Sequence, residues 1–293
     1  MRTGTLITTA TTTAGATLIA ERAAFANARA ALPGSVAAVL TMGALHAGHA
    51  SLIRLARERA DHVVVTVFVN PLQFGPGEDF ERYPRTLEAD IALASAAGAD
   101  IVFAPQRSDI WPTPPSVTVD AGPLQHLYEG AVRPGHFNGV CTVVLTLLQL
   151  LRPAVSVFGE KDAQQLAAIR AMVRDLAVPV EIVGAPIVRE ADGMAMSSRN
   201  RFLSPADRVA ASVLFRALRA GAAAGRLGRE RVLNAAAAVL ATEPSVQTDY
   251  LDVVTADFEP ASSGDSLIIV AARVGGTRLL DNMAVALQGA DGP

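Results

Sequence analysis

The sequence predicts an α/β chain: a doubly wound parallel sheet followed by a second, smaller α+β domain. Three observations lead there. Short, nearly continuous aliphatic runs alternate with helical patterns between residues 35 and 183. Strands that are apolar throughout belong to parallel sheets covered by helices on both faces. Past Ser204 and Pro205 the rhythm changes to alanine-rich helices and then to strand-like segments. A length of 293 residues is large for one core and small for several, so one large and one small domain is the natural division.

The elements follow in order. Residues 35–42 (SVAAVLTM) read as a strand, 49–60 as a helix and 61–70 (DHVVVTVFVN) as a strand, which is a βαβ unit. The rhythm continues with a helix over 86–97, a strand over 99–104 (ADIVFA), a helix over 140–151, a strand over 155–158, a helix over 161–176 and a strand over 178–183. Together these make a Rossmann-like domain. Two connections, 71–85 and 105–115, are long for a compact domain, and loops of that length often serve function. The first follows a strand directly and is expected to overhang the site. Helices over 206–224 and 229–241 and strands over 248–255 and 266–272 form the second domain. The boundary falls in 184–190, giving a larger Rossmann-like domain over 1–187 and a smaller domain over 188–293 that is expected to close over the site. Doubly wound sheets bind ligands at the carboxyl ends of their strands, where the strand order reverses.

Composition removes several function classes. Apolar residues make up 51% and charged residues 18% of the chain, yet no uncharged apolar run reaches the roughly 20 residues of a membrane span. The Thr/Ala-rich start lacks a leucine-rich core and a small-residue cleavage site, so a cytoplasmic location is expected. A formal net charge of −3 argues against a nucleic-acid partner, since such proteins carry strongly basic faces. Cys141 is the single cysteine; it lies in an apolar run, where an inert buried thiol is the ordinary reading. Among 25 basic residues only Lys161 is a lysine. In a chain that favours arginine, a lone lysine suggests a task for a compact ammonium, such as contacting a phosphate in a tight pocket.

The strongest local signal is Thr41-Met42-Gly43-Ala44-Leu45-His46-Ala47-Gly48-His49, between the first strand and its helix. Gly48 lets backbone approach a ligand, the helix N-terminus offers N–H groups to an anion, and His46 and His49 can donate to phosphate oxygens. A metal site and an ordinary surface pair are the other readings of these imidazoles; a metal would need a third ligand, and none lies nearby in sequence. A second string, Phe158-Gly159-Glu160-Lys161-Asp162-Ala163-Gln164-Gln165, also opens a helix after a strand. Gly159 leaves room for a nucleotide, Asp162 can accept from ribose hydroxyls, Lys161 can reach a phosphate and Gln165 lies about a turn further on a similar face. A third, Val188 to Asn200 (VREADGMAMSSRN), supplies small residues, hydroxyls and a guanidinium, and taken alone is equally a polar linker. In a fourth, Phe68-Val69-Asn70-Pro71-Leu72-Gln73-Phe74, Gln73 offers a donor and an acceptor suited to a hydroxyl-bearing carboxylic acid; a turn amide on a surface loop is the plain alternative.

The His-x-Gly-His turn resembles that of the nucleotidylyltransferase superfamily, and TMGALHAGHASL with FGEKDAQQL resembles the pantothenate synthetase family specifically. Tyr83-Pro84-Arg85, Arg133 to Gly139 (RPGHFNG) and Thr277 to Asn282 (TRLLDN) extend the resemblance along most of 35–204 and into the C-terminal part. The resemblance implies that a pantoate carboxylate attacks the α-phosphorus of ATP, and that the β-alanine amine then displaces AMP from pantoyl adenylate. It implies ATP contacts for Met42, Gly43, Ala44, Leu45, His46, Ala47, Gly48, His49, Gly159, Glu160, Lys161 and Asp162. Ser197, Ser198 and Arg199 would contact the phosphates, with Val188 and Met196 near adenine, while Gln73, Gln165 and Asn70 would hold pantoate and β-alanine. The expected catalytic groups are His46, His49, Lys161 and Arg199, with His49 considered as proton donor to pyrophosphate. Mg²⁺ is expected with ATP because it needs few protein ligands there, and the family implies a homodimer. Leu40, Ala47, Thr146, Ala154 and Ala163 depart from the usual pattern, but none removes a group given a role above. A different nucleotidylyltransferase, an aminoacyl-tRNA synthetase and a non-catalytic nucleotide sensor are the competing readings. The first gives no reason for the paired Gln73 and Gln165, and the second lacks a basic surface and room for a tRNA-binding domain.

Overall fold

A computed structural model describes residues 11–13, 15–78 and 80–288. Its contacts divide them into two units, one running to Phe158 and adding Ala168–Ala185, the other made of Gly159–Ala167 and the chain from Pro186 onward. The sequence reading makes one cut, between 187 and 188; the contacts give each unit two pieces.

The first unit is built on a sheet of β1 (Thr11–Thr13), β2 (Ala16–Ile19), β3 (Val36–Thr41), β4 (His62–Val67), β5 (Ile101–Phe103), β6 (Val155–Gly159) and β7 (Glu181–Ala185). Their spatial order is β1-β2-β5-β4-β3-β6-β7. Strands β2, β5, β4, β3 and β6 run parallel, and β1 pairs antiparallel with β2. Order runs outward from β3 through β4 to β5, then returns to the other side of β3 with β6, so the reversal lies between β3 and β6. The helices in chain order are α1 (Arg22–Ala31), α2 (Ala47–Arg57), α3 (Leu87–Ala97), the short α4 (Arg107–Ile110) and α5 (Tyr128–Val132), and α6 (His136–Leu151); α7 (Ala163–Asp175) crosses the division. Val39, Val63, Val65 and Val102 are wholly buried in one cluster with Ile53 and Ala56 of α2 and Ala94 of α3. Each such aliphatic side chain contributes about 1.5–3 kcal/mol on burial. Phe25 of α1 stacks on Phe103 of β5 at 4.3 Å.

The second unit holds α8 (Pro205–Ala223) and α9 (Arg229–Leu240) with an antiparallel sheet of β8 (Val246–Val254), β9 (Gly264–Val274) and β10 (Thr277–Leu287), in the order β10-β9-β8. Ser204 caps α8 by accepting from the Asp207 N–H, with Pro205 in the first turn. Leu214, Leu218, Val232, Ile268 and Val270 make its core.

Several elements differ from the sequence reading. Helix α6 begins at His136, one turn before the expected start, because Gly135 at φ 82° launches it through residues too polar to extend an apolar pattern. Strand β7 starts at Glu181, not 178: Ala177 at φ 49° turns the chain, and the Val178 N–H closes back on Val173. The 71–85 connection opens with a 3₁₀ turn over Pro71–Gln73. Strands β2 and β10 and helix α1 have no counterpart in the pattern. Cys141 lies fully buried in α6, and burial pushes its thiol up to about 12.

Candidate active site

The turn after β3 is shaped before any ligand arrives. Thr41 donates its hydroxyl to the Thr66 carbonyl at 2.6 Å and accepts from the Gly43 N–H at 3.1 Å. Gly43 sits at φ 83° and Ala44 at φ 52°, the second being a conformation that L side chains rarely adopt. Asp90 of α3, buried at 2% exposure, holds that conformation. Its Oδ2 accepts from the Ala44 N–H at 3.1 Å and its Oδ1 from the Leu45 N–H at 2.7 Å. The Thr86 hydroxyl donates to the same carboxylate at 3.2 Å.

His46 and His49 then cap α2. The Gly48 N–H donates to His46 Nδ1 at 3.2 Å, and the His46 N–H donates to His49 Nδ1 at 3.3 Å. The rings lie 4.1 Å apart, tilted by 38°. Two orphan donors of the helix N-terminus are thereby satisfied by imidazoles, a capping box built from histidine. Because each Nδ1 accepts, the neutral rings carry their protons on Nε2, which makes both rings donors toward an anion. A neutral ring held this way donates a hydrogen bond; releasing a whole proton would require a protonated Nδ1, and hence the loss of its capping bond. The donors on this turn suit phosphate oxygens and present no ligand to a cation. Among the described residues no group of three or more His, Cys, Asp or Glu side chains could hold a metal.

The amide-bearing segment packs beside the turn. Gln73 donates from Nε2 to the Met42 sulfur at 3.1 Å. Asn70, 1% exposed, donates to Gln73 Oε1 at 3.0 Å and to the Gly139 carbonyl at 3.2 Å, and accepts from the Leu72 N–H at 3.1 Å. Both of its amide hydrogens are thus engaged within the protein, on Gln73 and on the Gly139 carbonyl.

The Arg133 to Gly139 segment grips the same turn from the other side. His136 Nδ1 lies 2.9 Å from the Gln73 carbonyl and its Nε2 3.0 Å from Arg133 Nη1. Burial, followed by the Arg133 charge, pushes His136 down to about 4. The neutral ring therefore accepts from Arg133 at Nε2 and donates from Nδ1 to Gln73, the opposite tautomer to that of the α2 cap. Arg133 also donates to the Gln73 carbonyl at 3.3 Å and forms a two-bond pair with Glu78 at 2.9 and 2.5 Å. Burial works to raise the Glu78 carboxyl, but its bonds and charge contact with Arg133 outweigh it and hold the group below its ordinary value.

In the second unit, Glu160, Lys161 and Asp162 form one 3₁₀ turn. Lys161 Nζ lies 3.5 Å from Asp162 Oδ1, its side chain 21% exposed. Gln165 is partly exposed, whereas Gln164 beside it is buried. Val188 and Met196, both expected near adenine, meet across a tight hairpin through the Met196 N–H and the Val188 carbonyl at 2.9 Å. Ser197 caps the following turn by accepting from the Arg199 N–H at 3.2 Å, and Ser198 opens that turn. Asn200 ties it back, donating to Glu190 at 2.6 Å and to the Ala195 carbonyl at 3.1 Å.

The first unit thus brings Met42 to His49 together with Asn70 and Gln73. The second brings Gly159 to Asp162 onto one turn, and Val188 with Met196 to Arg199 onto one hairpin. Sequence reasoning gave no role to Asp90, Glu78, Arg133, His136 or Asn282. The signal for Arg133, His136 and Asn282 was their place in strings that resemble the family; for Asp90 and Glu78 there was none.

Among the described residues no helix is long and apolar enough to cross a membrane. A family profile described as "Pantoate-beta-alanine ligase" matches residues 16–284. The pantothenate synthetase of Salinispora arenicola is 55% identical over 275 residues, covering 92% of this chain and 98% of that one. That of Acidothermus cellulolyticus is 55% identical over 265 residues, covering 87% of each. The crystal structure of pantothenate synthetase from Thermus thermophilus superposes with a TM-score of 0.87 at 48% identity, covering 91% of this chain and 98% of that one. A pantoate-beta-alanine ligase from Francisella tularensis, crystallised with beta-gamma ATP and beta-alanine, gives a TM-score of 0.77 at 32% identity over 91% of this chain and 96% of that one. On sequence and fold together, the chain belongs to the pantoate–β-alanine ligase family.

Proposed function

We propose that the residues assembled on these turns carry out the ATP-dependent condensation of pantoate with β-alanine, with pantoyl adenylate as the intermediate. The observation that carries this reading is the bond from Gln73 Nε2 to Met42 at 3.1 Å: an amide suited to a hydroxy acid lies against the turn whose imidazoles can donate to phosphate oxygens.

In the first step a pantoate carboxylate oxygen bonds to the α-phosphorus, and the bond from that phosphorus to the bridging oxygen breaks, releasing pyrophosphate. His46 and His49 hold the phosphates as Nε2–H donors, Lys161 and Arg199 add positive charge, and Ser197 and Ser198 add hydroxyls. Gly159, Glu160 and Asp162 hold the nucleotide, with Val188 and Met196 beside adenine. Gln73 and Gln165 orient the two acids, and Asn70 fixes Gln73. In the second step the amine nitrogen of β-alanine bonds to the acyl carbon, sheds a proton, and AMP leaves. Such sites act chiefly by positioning and by stabilising developing charge. Mg²⁺ would accompany ATP and supply charge neutralisation to the phosphates. A homodimer and a cytoplasmic location complete the proposal on the family resemblance.

The test is pyrophosphate release from Mg-ATP with and without pantoate, followed by AMP and pantothenate detection when β-alanine is added. Pantoate-dependent pyrophosphate and β-alanine-dependent product are expected. Lys161→Ala should cut the first step by about 10²–10³-fold with the fold intact, the size expected for losing one preorganised donor. ATP binding with no effect of either acid would leave a nucleotide sensor as the better reading.

A further inference from the structure

Two consecutive polar residues interrupt the apolar strand β10. Asp281 and Asn282 are each 5% exposed, and since successive strand side chains point to opposite faces, the strand is covered on both sides here. Burying polar groups is costly unless they are hydrogen-bonded, and both side chains make hydrogen bonds within the protein. Arg189 donates to the two Asp281 oxygens at 2.6 and 3.1 Å, to the Asn282 carbonyl at 3.0 Å and to the Gly193 carbonyl at 3.0 Å, its guanidinium lying 4.7 Å from the Phe215 ring. The Asn282 carboxamide points elsewhere. Its Nδ2 donates to the carbonyl of Glu160 and to the carbonyl of Lys161, both at 2.9 Å.

Those two carbonyls belong to the peptide groups on either side of the Lys161 Cα. Fixing both planes fixes the direction in which the lysine side chain leaves the backbone, and they lie on a single 3₁₀ turn with few bonds of its own to do so. The same guanidinium that anchors Asn282 also holds the hairpin from which Met196 to Arg199 emerge.

We propose that Asn282 is a positioning residue for Lys161, and that the Asp281–Asn282 pair of β10 sets the aim of the lone lysine during adenylate formation. This rests on the role given to Lys161 above. Asn282→Ala is expected to lower pantoate-dependent pyrophosphate release about 10–100-fold in kcat, the range expected when a catalytic group is misplaced by up to about 1 Å. Asn282→Asp keeps the volume but sets acceptors against two carbonyls, so a similar loss is expected even if the alanine variant folds poorly. A merely structural residue would lower activity independently of the lysine. The decisive measurement is therefore the double variant: Lys161→Ala with Asn282→Ala should be no slower than Lys161→Ala alone, the non-additivity of groups acting as a unit. Additive losses, or near-wild-type kcat in both Asn282 variants while Lys161→Ala is crippled, would overturn the proposal. A fully active Lys161→Ala would instead remove the role given to Lys161, and the proposal with it.

Discussion

Gly139→Ala tests whether Gln73 is a substrate residue held in place by helix packing. A Cβ built at Gly139 lies 2.1 Å from the Leu72 carbonyl oxygen and 2.8 Å from the Gln73 nitrogen, whereas ordinary contact begins at 3.4 Å. The turn carrying Gln73 must therefore retreat from α6 by about 1.3 Å, stretching the Asn70 bond to the Gly139 carbonyl as it goes. Alanine improves the helix by about 1 kcal/mol, while overpacking costs about 1–3 kcal/mol, so net stability should fall by no more than about 2 kcal/mol. A displacement of this size at a positioning residue costs about 100-fold in rate, equivalent to about 2.7 kcal/mol of transition-state stabilisation. Steady-state pyrophosphate release with pantoate as the varied substrate should show kcat/KM reduced by that factor, with the KM for ATP nearly unchanged. Wild-type kcat/KM for pantoate in a protein with the clash in place would refute the assignment of Gln73.

His136 makes stability pH-dependent. Its folded value of about 4 lies below the ordinary 6.5, so as pH falls the unfolded chain takes up the proton first; stability is lost from about 6.5 down to 4 and levels off below. The loss amounts to at most about 3 kcal/mol, and urea unfolding across that range should show it in the wild type and not in His136→Gln; identical slopes would contradict the assignment. Cys141, with its thiol raised to about 12, should resist a thiol-specific disulfide reagent at pH 8 while folded and release one equivalent after denaturation. Rapid labelling of the native protein would mean that α6 opens far more readily than its burial implies.

The sequence revealed more of the fold where side-chain pattern alone decides structure. The parallel core was readable because β3, β4 and β6 are buried on both faces and α2 carries the helical period. Strand β10 escaped because Asp281 and Asn282 break the apolar run, and their reason for being there is visible only once Arg189 and the Lys161 turn are seen against them. Strand β2 is four residues long, too short for any pattern. At the site, motifs pointed to His46, His49, Gln73 and Lys161 because the required chemistry belongs to those residue types. The groups that position them act from positions between 3 and 63 residues away, Asp90, Arg133 and His136 through bonds to backbone and Asn70 through a bond to the Gln73 side chain. Asn70 shows the difference plainly: the family resemblance gives it a place among the substrate residues, and only the fold shows that its amide hydrogens bond Gln73 and Gly139.

The carboxylate that shapes the histidine turn lies 46 residues further along the chain, which ties binding to folding order. Ala44 in the left-handed region is unfavourable by about 1–2 kcal/mol, and Thr41 alone does not reach its N–H. During synthesis residues 41–49 emerge first, and only when α3 has formed and docked does Asp90 arrive to impose the turn. The anion-binding cap is therefore a late product of tertiary assembly. Incomplete chains ending before residue 90 would lack the two carboxylate bonds that hold this turn.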